Sequence, residues 1–472
     1  MRFSPGLKAG IASLKSQLLQ RSPDSNEAMQ TITAILPETP EVSLPGWLYR
    51  QQVYPKLYWS SRIDESASDE FRGETRDVEV AGLGVAMVRT GDDARAFLAS
   101  LAGSDCRKQY YWLSTFDNDT PVLILPRIEL LKQQGHFLLR VNAVDRANLS
   151  GAVHLPGYTP IPQWMADLRD QDLLSLLSGQ FDTPELDIEY ERRIDQPNHE
   201  TWRELVGQAK ACISARDFEK VVLARETRVF CAKQTDAMLL AAHWQQSVES
   251  CYQFVFQTSS DNGFISFSPE RLFRRTGCHL DTEALAGTAM RSCDRDQDHE
   301  LGQQLLLDEK NTREHRLVVE DILEKLGGLS DAVSQSGRGL WKQKHIQHLI
   351  YPLRAKLHTG IDDHRILAAL HPTAAIAGSP ARVARDFLTL HEPFRRNWYA
   401  GTHGCVSASK TEIAVSLRAA QIVKNEIKLF SGAGIVAQSD ADAEWSELEQ
   451  KIRAPLELIH RCHALSPIPS LA

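Results

Sequence analysis

The chain reads as an α+β protein built in layers, and three observations lead there. Short runs rich in Val, Ile, Tyr and Phe, broken by Gly, Pro and Asp, recur along both halves, the pattern of antiparallel meanders. A few long stretches switch to a period between three and four, so helices interrupt the strands without alternating with them one for one. No internal repeat or low-complexity tract is present, and two strand-rich halves are compatible with two stacked sheets. At 472 residues the chain can bury a substantial core, as one large domain or as two or three ordinary ones.

Residues 8–21 place Leu and Ile at helical spacing, and the polar TPEVSLPG soon after reads as a connection, so residues 1–40 are expected to be a helix and linker. From Trp47 the sequence becomes β-like: LYRQQVYPKLYWSSR, VAGLGVAMVR, QYYWLSTF and VLILPRIELLKQQGHFLLRVNAV make residues 41–195 a β-rich half. The Pro- and Asp-rich segment around 156–200 links it to the second half, 196–465. That half opens on a helix, ETWRELVGQAKACISAR, followed by the strands FEKVVLARETRVF, YQFVFQ, GFISFS, ERLFRRTG and CHLDTEALAG. ELGQQLLLDEKNTREHRLVVEDILEKLGG reads as one long helix closed by Gly-Gly. A helix at 363–370 precedes two strands, TEIAVSLRAAQIV and EIKLFSGAGIVA, joined at Lys424-Asn425, and an acidic helix begins near Asp440. Pro455 is expected to end or kink it.

Composition narrows the function classes. With 42% hydrophobic and 24% charged residues, a net charge of −8 and no long Lys/Arg run, the chain lacks the electrostatic footprint of a nucleic-acid binder. Its eight cysteines are scattered without CxxC or zinc-like Cys/His spacing, and read as reduced thiols in a cytoplasm. The N-terminus mixes Lys, Ser and Gln into its apolar residues, so no signal-peptide core forms, and no apolar run approaches the roughly 20 residues a membrane helix needs. A soluble, unprocessed protein is expected, with no membrane partner.

Several side chains invite a chemical reading. Glu314 sits on or beside the core-facing side of its helix, three and four residues before Leu317 and Val318, where a carboxylate needs a partner or a cation. The plain alternative is an ion pair with Lys310 one turn earlier. Glu444, Glu447 and Lys451 share one face of the last helix while Trp445, Leu448 and Ile452 form its apolar stripe; a solvated Glu-to-Lys face is the plain reading. Oxygen-only ligands from two helices would suit Mg²⁺. Lys220 shares a strand face with Phe218 and Val222; as a base its pKa must fall from about 10.4 toward neutrality, whereas most strand lysines sit at edges with the ammonium in water. Glu270 follows Pro269 in a turn, facing the small-residue loop Ala286-Gly287-Thr288. GAGIVA at 432–437 matches a dinucleotide-binding fingerprint, but helix signals begin only at 440–442 and no βαβ unit fits.

Taken in order, KVVLAR, SPERLF, EALAGT, EKNTREHRLVVEDI, LHPTAAIAGSP, YAGTHG, LRAAQI and SGAGIVAQSDADAEWSELEQK resemble the chorismate-utilising enzymes, the family of anthranilate synthase component I, aminodeoxychorismate synthase component I, salicylate synthase and isochorismate synthase. The motifs span about 218–455. In the N-terminal half, YPKLYWSSR and LPRIEL look like the isochorismate synthase of menaquinone biosynthesis. The resemblance implies one large domain with the anthranilate-synthase-component-I-like fold, two antiparallel β-sheets packed as a sandwich with helices outside. It implies chorismate as substrate and Mg²⁺ as cofactor, with Glu314 and Glu447 as direct ligands and Glu444 acting through water.

Lys220 stands where the ammonia-using anthranilate synthases carry Gln, which suits deprotonation of water. Ala286 stands where aminodeoxychorismate synthases often carry a nucleophilic lysine. The implied chemistry is addition of water at C2 with Lys220 as general base and Glu270 as general acid for the departing C4 hydroxyl, giving isochorismate. Gly287, Thr288, His371, Ala374, Tyr399, Arg418, Gly432 and Lys451 fall on family positions that line the substrate pocket, with Arg418 and Mg²⁺ expected to hold the carboxylates. Water as nucleophile needs no glutamine amidotransferase subunit, and a monomer or weak homodimer is expected. Salicylate synthase, an isochorismate synthase of a siderophore pathway and a non-catalytic chorismate-binding protein are the alternatives.

Overall fold

A computed structural model describes residues 5–19, 31–36, 43–62, 78–102, 104, 108–133, 135–142, 169–177, 179–343 and 346–465. Among these residues the strands form two antiparallel sheets, of twelve and ten strands. The first runs Thr31–Leu36, His136–Asn142, Ile128–Gln133, Val78–Leu83, Lys56–Ser60, Tyr252–Ser259, Asn262–Ser268, Ala419–Val423, Glu426–Ile435, Lys220–Cys231 and Gly378–Ser379, with Tyr190–Gln196 also beside Lys220–Cys231. The second runs Ser330–Gln335, Ile346–Leu357, His279–Met290, Arg271–Thr276, Lys410–Val415, Thr402–Val406, Tyr110–Ser114, Val122–Leu125 and Met87–Thr90, with Gly339–Lys342 beside Ile346–Leu357. Each sheet therefore draws strands from both halves of the sequence.

The sheets meet through aromatic side chains. His403 of the second sheet stacks on Phe254 of the first at 4.9 Å between ring centroids and meets the Trp59 ring edge-on at 6.0 Å. Trp59, Phe254 and Trp112 are buried in one cluster with residues of both sheets, each worth on the order of 2–3 kcal/mol of apolar transfer. Helices cover the outer faces, as the layered reading anticipates. Among the described residues no helix is long and apolar enough to cross a membrane.

Several boundaries differ from the sequence reading, each for a local reason. Residues 47–50, read as β-like, belong to the helix Leu44–Arg50, because the Ser43 side chain accepts from the Gly46 N–H and Pro45 occupies the first turn. The expected linker carries an edge strand, Thr31–Leu36, while residues 37–42 lie outside the described set. VAGLGVAMVR breaks at Gly84, and the linking segment around 156–200, described from 169, contains the helix Asp170–Ser175 and the strand Tyr190–Gln196. The long helix is two, Arg295–Leu307 and Glu309–Gly327, because Asp308 takes an extended conformation and caps the second through the Asn311 N–H. The last helix, Ala441–Leu465, runs through Pro455 instead of ending there.

Candidate active site

Two side-by-side crossings between the sheets build the site. Asn262–Ser268 belongs to the first sheet and Arg271–Thr276 to the second, so the chain changes sheets at Pro269 and Glu270. Lys410–Val415 and Ala419–Val423 change sheets in the opposite direction at Ser416 to Arg418, where Arg418 takes a left-handed φ of 47°. The segment read as one strand, TEIAVSLRAAQIV, is split there. Backbone bonds tie the crossings together: the Val415 N–H donates to the Glu270 carbonyl at 3.1 Å, and the Phe267 N–H to the Arg418 carbonyl at 3.2 Å. A residue at such a crossing leaves the plane of either sheet, which turns Glu270 and Arg418 into the same cavity.

That cavity holds about 770 Å³ of atom-free space, mouth included. Of the residues named from sequence, Glu270, Gly287, Thr288, Glu314, Tyr399, Arg418, Gly432, Glu447 and Lys451 line it. Gly287 is the extra residue of a bulge between the paired strands His279–Met290 and Ile346–Leu357; its φ of 76° and the Asn311 side chain, 3.1 Å from where a Cβ would stand, both favour glycine.

Lys220 is fully buried behind this lining, its Nζ 3.0 Å from Glu314 Oε1. Gly434 makes room for the pair: a Cβ there would stand 2.2 Å from Glu314 Oε1 and 2.9 Å from Lys220 Cε. The plain reading of Glu314 is therefore corrected. Its partner is Lys220 across the fold, while Lys310 reaches Glu444 at 2.5 Å. The Glu447–Lys451 pair forms as the spacing suggests, at 2.6 Å, and Lys451 also donates to the Gly432 carbonyl at 2.7 Å. The glycines of GAGIVA, Gly432 and Gly434, accordingly both lie within a strand, Glu426–Ile435, and open no helix.

Besides Lys220, three of the named residues sit outside the lining. Glu444 is buried against Lys310; burial pushes its carboxyl up, and Lys310 opposes without cancelling this. His371 Nε2 lies 2.9 Å from the Ala400 carbonyl, and burial pushes the ring down to about 4, so it is a neutral, satisfied core histidine in this structure. Ala374 is buried with its N–H donating to Asp321 Oδ2 at 2.9 Å, while its neighbours Ala375 and Ile376 reach the cavity.

The electrostatics separate two carboxylates. Burial pushes Glu270 up to about 8, with Glu283 adding to the rise and Lys220, Lys451 and Arg62 opposing it. Burial also pushes Glu447 up, but the Lys451 ammonium outweighs it and holds the carboxyl below its ordinary range. At neutral pH one cavity thus presents a protonated acid and an ionised carboxylate, a division of roles that acid–base chemistry uses. Tyr399, stacked on Phe430 at 5.1 Å between centroids, is pushed up to about 12 by burial and stays a hydroxyl.

Sequence reasoning missed His348 and Arg396 in the lining. His348 Nδ1 lies 3.1 Å from Thr288 Oγ1 and 3.3 Å from the Gly287 carbonyl, bracing the bulge; burial, then Arg418 and Lys451, push the ring down to about 3. The signal was a polar pair inside the apolar run IQHLI. Arg396 is engaged by Glu392, four residues back just past a helix end, and donates to the Ile376 carbonyl at 3.0 Å and the Val222 carbonyl at 2.6 Å, so it braces the wall.

The oxygen donors suit a hard dication. Glu314 and Glu447 reach one cavity from different helices, and each has a lysine nitrogen against it where a cation would sit. Among the described residues no three His, Cys, Asp or Glu side chains cluster closely enough to hold a metal. A two-carboxylate site leaves its other positions to water and substrate, the arrangement Mg²⁺ favours.

Comparison with known proteins fits this geometry. A family model described as "Chorismate binding enzyme" matches residues 96–460. The isochorismate synthase MenF of Escherichia coli (strain K12) is 33% identical over 407 residues, 86% of this chain and 88% of that protein. MenF of Haemophilus influenzae is 32% identical over 459 residues, 96% of each chain. The solved structure of the menaquinone-specific isochorismate synthase MenF from Escherichia coli superposes with a TM-score of 0.83 at 32% identity, covering 96% of this chain and all of that one. Every residue that lines the cavity falls within the matched range, and the likeness extends through both sheets, so the chain belongs to the chorismate-binding enzymes.

Proposed function

We infer that the protein is an isochorismate synthase of menaquinone biosynthesis, an isomerase that converts chorismate to isochorismate. The observation that carries the reading is the pairing, around one cavity, of a carboxyl protonated at neutral pH, Glu270, with a buried lysine behind the lining residue Glu314. The curated relatives named above and the solved neighbour share that activity by name.

The reaction needs one proton removed and one supplied. Lys220 takes a proton from water as its oxygen bonds to C2 of the ring; the C1=C2 and C5=C6 double bonds shift to C1=C6 and C4=C5, and the C4–O bond breaks. Glu270 gives its proton to the departing hydroxide, which leaves as water. One water enters and one leaves, so the product is an isomer. Arg418 and Lys451 supply positive charge for the substrate carboxylates, and Thr288 and Tyr399 supply hydroxyl groups that orient the ring. Glu314 and Glu447 would hold Mg²⁺. The ion, when bound, supplies charge that fixes a substrate carboxylate.

Incubating purified protein with chorismate and Mg²⁺, and resolving the products by liquid chromatography, tests the reading. Isochorismate is expected. Salicylate with pyruvate would make the chain a salicylate synthase, and unchanged chorismate would make it a binding protein. Glu447→Ala is expected to raise the Mg²⁺ concentration giving half-maximal rate by roughly 10- to 100-fold and to weaken Mg²⁺ binding in calorimetry. An unchanged titration would remove Glu447 from the metal site.

A further inference from the structure

Arg62 closes the YPKLYWSSR phrase, outside the matched range 96–460, and is buried with its guanidinium 4.4 Å from the Trp341 ring centroid. It forks onto Glu283 at 2.5 and 2.7 Å, and also donates to the Pro269 carbonyl. Glu283 in turn accepts from the Arg271 N–H at 3.2 Å. One ion pair therefore grips the backbone on both sides of Glu270, at the residue before it and the residue after it. The Glu270 N–H donates to Ser268 Oγ at 3.2 Å and its carbonyl accepts from Val415 at 3.1 Å, so the main chain at this crossing is held from several directions.

We propose that Arg62 and Glu283 are positioning residues for Glu270, a clamp that fixes where the acid delivers its proton. Neither side chain lines the cavity, so neither meets substrate directly. Stability alone is a weak reason for such a pair, because desolvating two charges offsets most of their attraction and apolar residues of like volume often serve as well. Its location astride the acid is what gives it a function. The second contribution is charge: the ionisable groups facing Glu270 are Glu283, Arg62, Arg271, Lys220, Lys451 and Tyr399, and Glu283 opposes ionisation while Arg62 favours it.

The inference rests on Glu270 being the acid of an isochorismate synthase, so wild-type conversion of chorismate is measured first. No conversion would end that reading; normal conversion without the pattern below would end only the clamp. Glu283→Gln is expected to move the alkaline limb of kcat/KM down by roughly one pH unit, and Arg62→Met to move it up. In both, kcat falls more than about 10-fold while KM for chorismate stays within about twofold. Arg62→Lys keeps the charge and returns the limb toward its wild-type position. Limbs that stay put, or move the same way in both variants, overturn the proposal. Should either single variant fail to fold, Arg62→Met with Glu283→Leu removes both charges and keeps the space filled; wild-type kcat in that protein would overturn the clamp as well.

Discussion

Lys220→Ala is expected to reduce turnover of chorismate by roughly 1,000-fold, within the range that a positioned general base contributes. The side chain has no exposed surface and its Nζ stands 3.0 Å from Glu314, so no neighbouring water-borne base can be assumed to replace it. Binding should persist, because the groups proposed to meet the substrate carboxylates, Arg418 and Lys451, lie elsewhere in the cavity wall. Calorimetry with chorismate and Mg²⁺ on the variant separates the two effects: retained affinity with lost turnover identifies the base, whereas near-normal turnover would take Lys220 out of the mechanism.

Glu270→Gln is expected to lower kcat/KM by about 100- to 10,000-fold, since an amide has no proton to give the leaving hydroxide. The wild-type profile carries the same information. With its carboxyl near pH 8 in the free protein, Glu270 is protonated below that pH, so kcat/KM should hold on its acid side and fall as pH rises through about 8. The sign for stability runs alike: the folded state keeps a proton that the unfolded chain, near 4.5, has released, so this group's contribution declines as pH rises from about 4.5 to 8. Glu270→Gln should therefore unfold at a higher temperature than wild type, by a margin that widens across that interval. A variant as active as wild type, or a profile flat through pH 9, would refute the assignment.

How much could be read from the sequence differs between the two proposed catalytic partners. Glu270 was approachable because Pro269 announces a break between two strand-like runs, and the break proves to be a change of sheet. The Glu447–Lys451 pair was approachable because four residues make one helical turn. Lys220 was not, since its partner Glu314 comes from a different element, and helical spacing could offer Glu314 only Lys310. The same limit hid the division of the long helix at Asp308: the apolar period survives a single capped break, so periodicity alone reports one helix where two exist. Arg418 was placed in the site by resemblance, but its left-handed backbone was invisible because apolar alternation continues on both sides of the bend. His348 stayed hidden because its strand, Ile346–Leu357, was not recognised, and with it went the brace behind Thr288.

The interleaving of early and late strands sets an order of events in synthesis. Tyr110–Ser114 waits for Thr402–Val406, and Lys56–Ser60 waits for Tyr252–Ser259. A nascent chain that has not yet reached Thr402 therefore leaves the ribosome with an open edge, the kind of surface that recruits foreign strands. Pairings of such separation also close slowly. Because Glu447 and Lys451 emerge later still, the cavity they line is complete only in a chain synthesised through both.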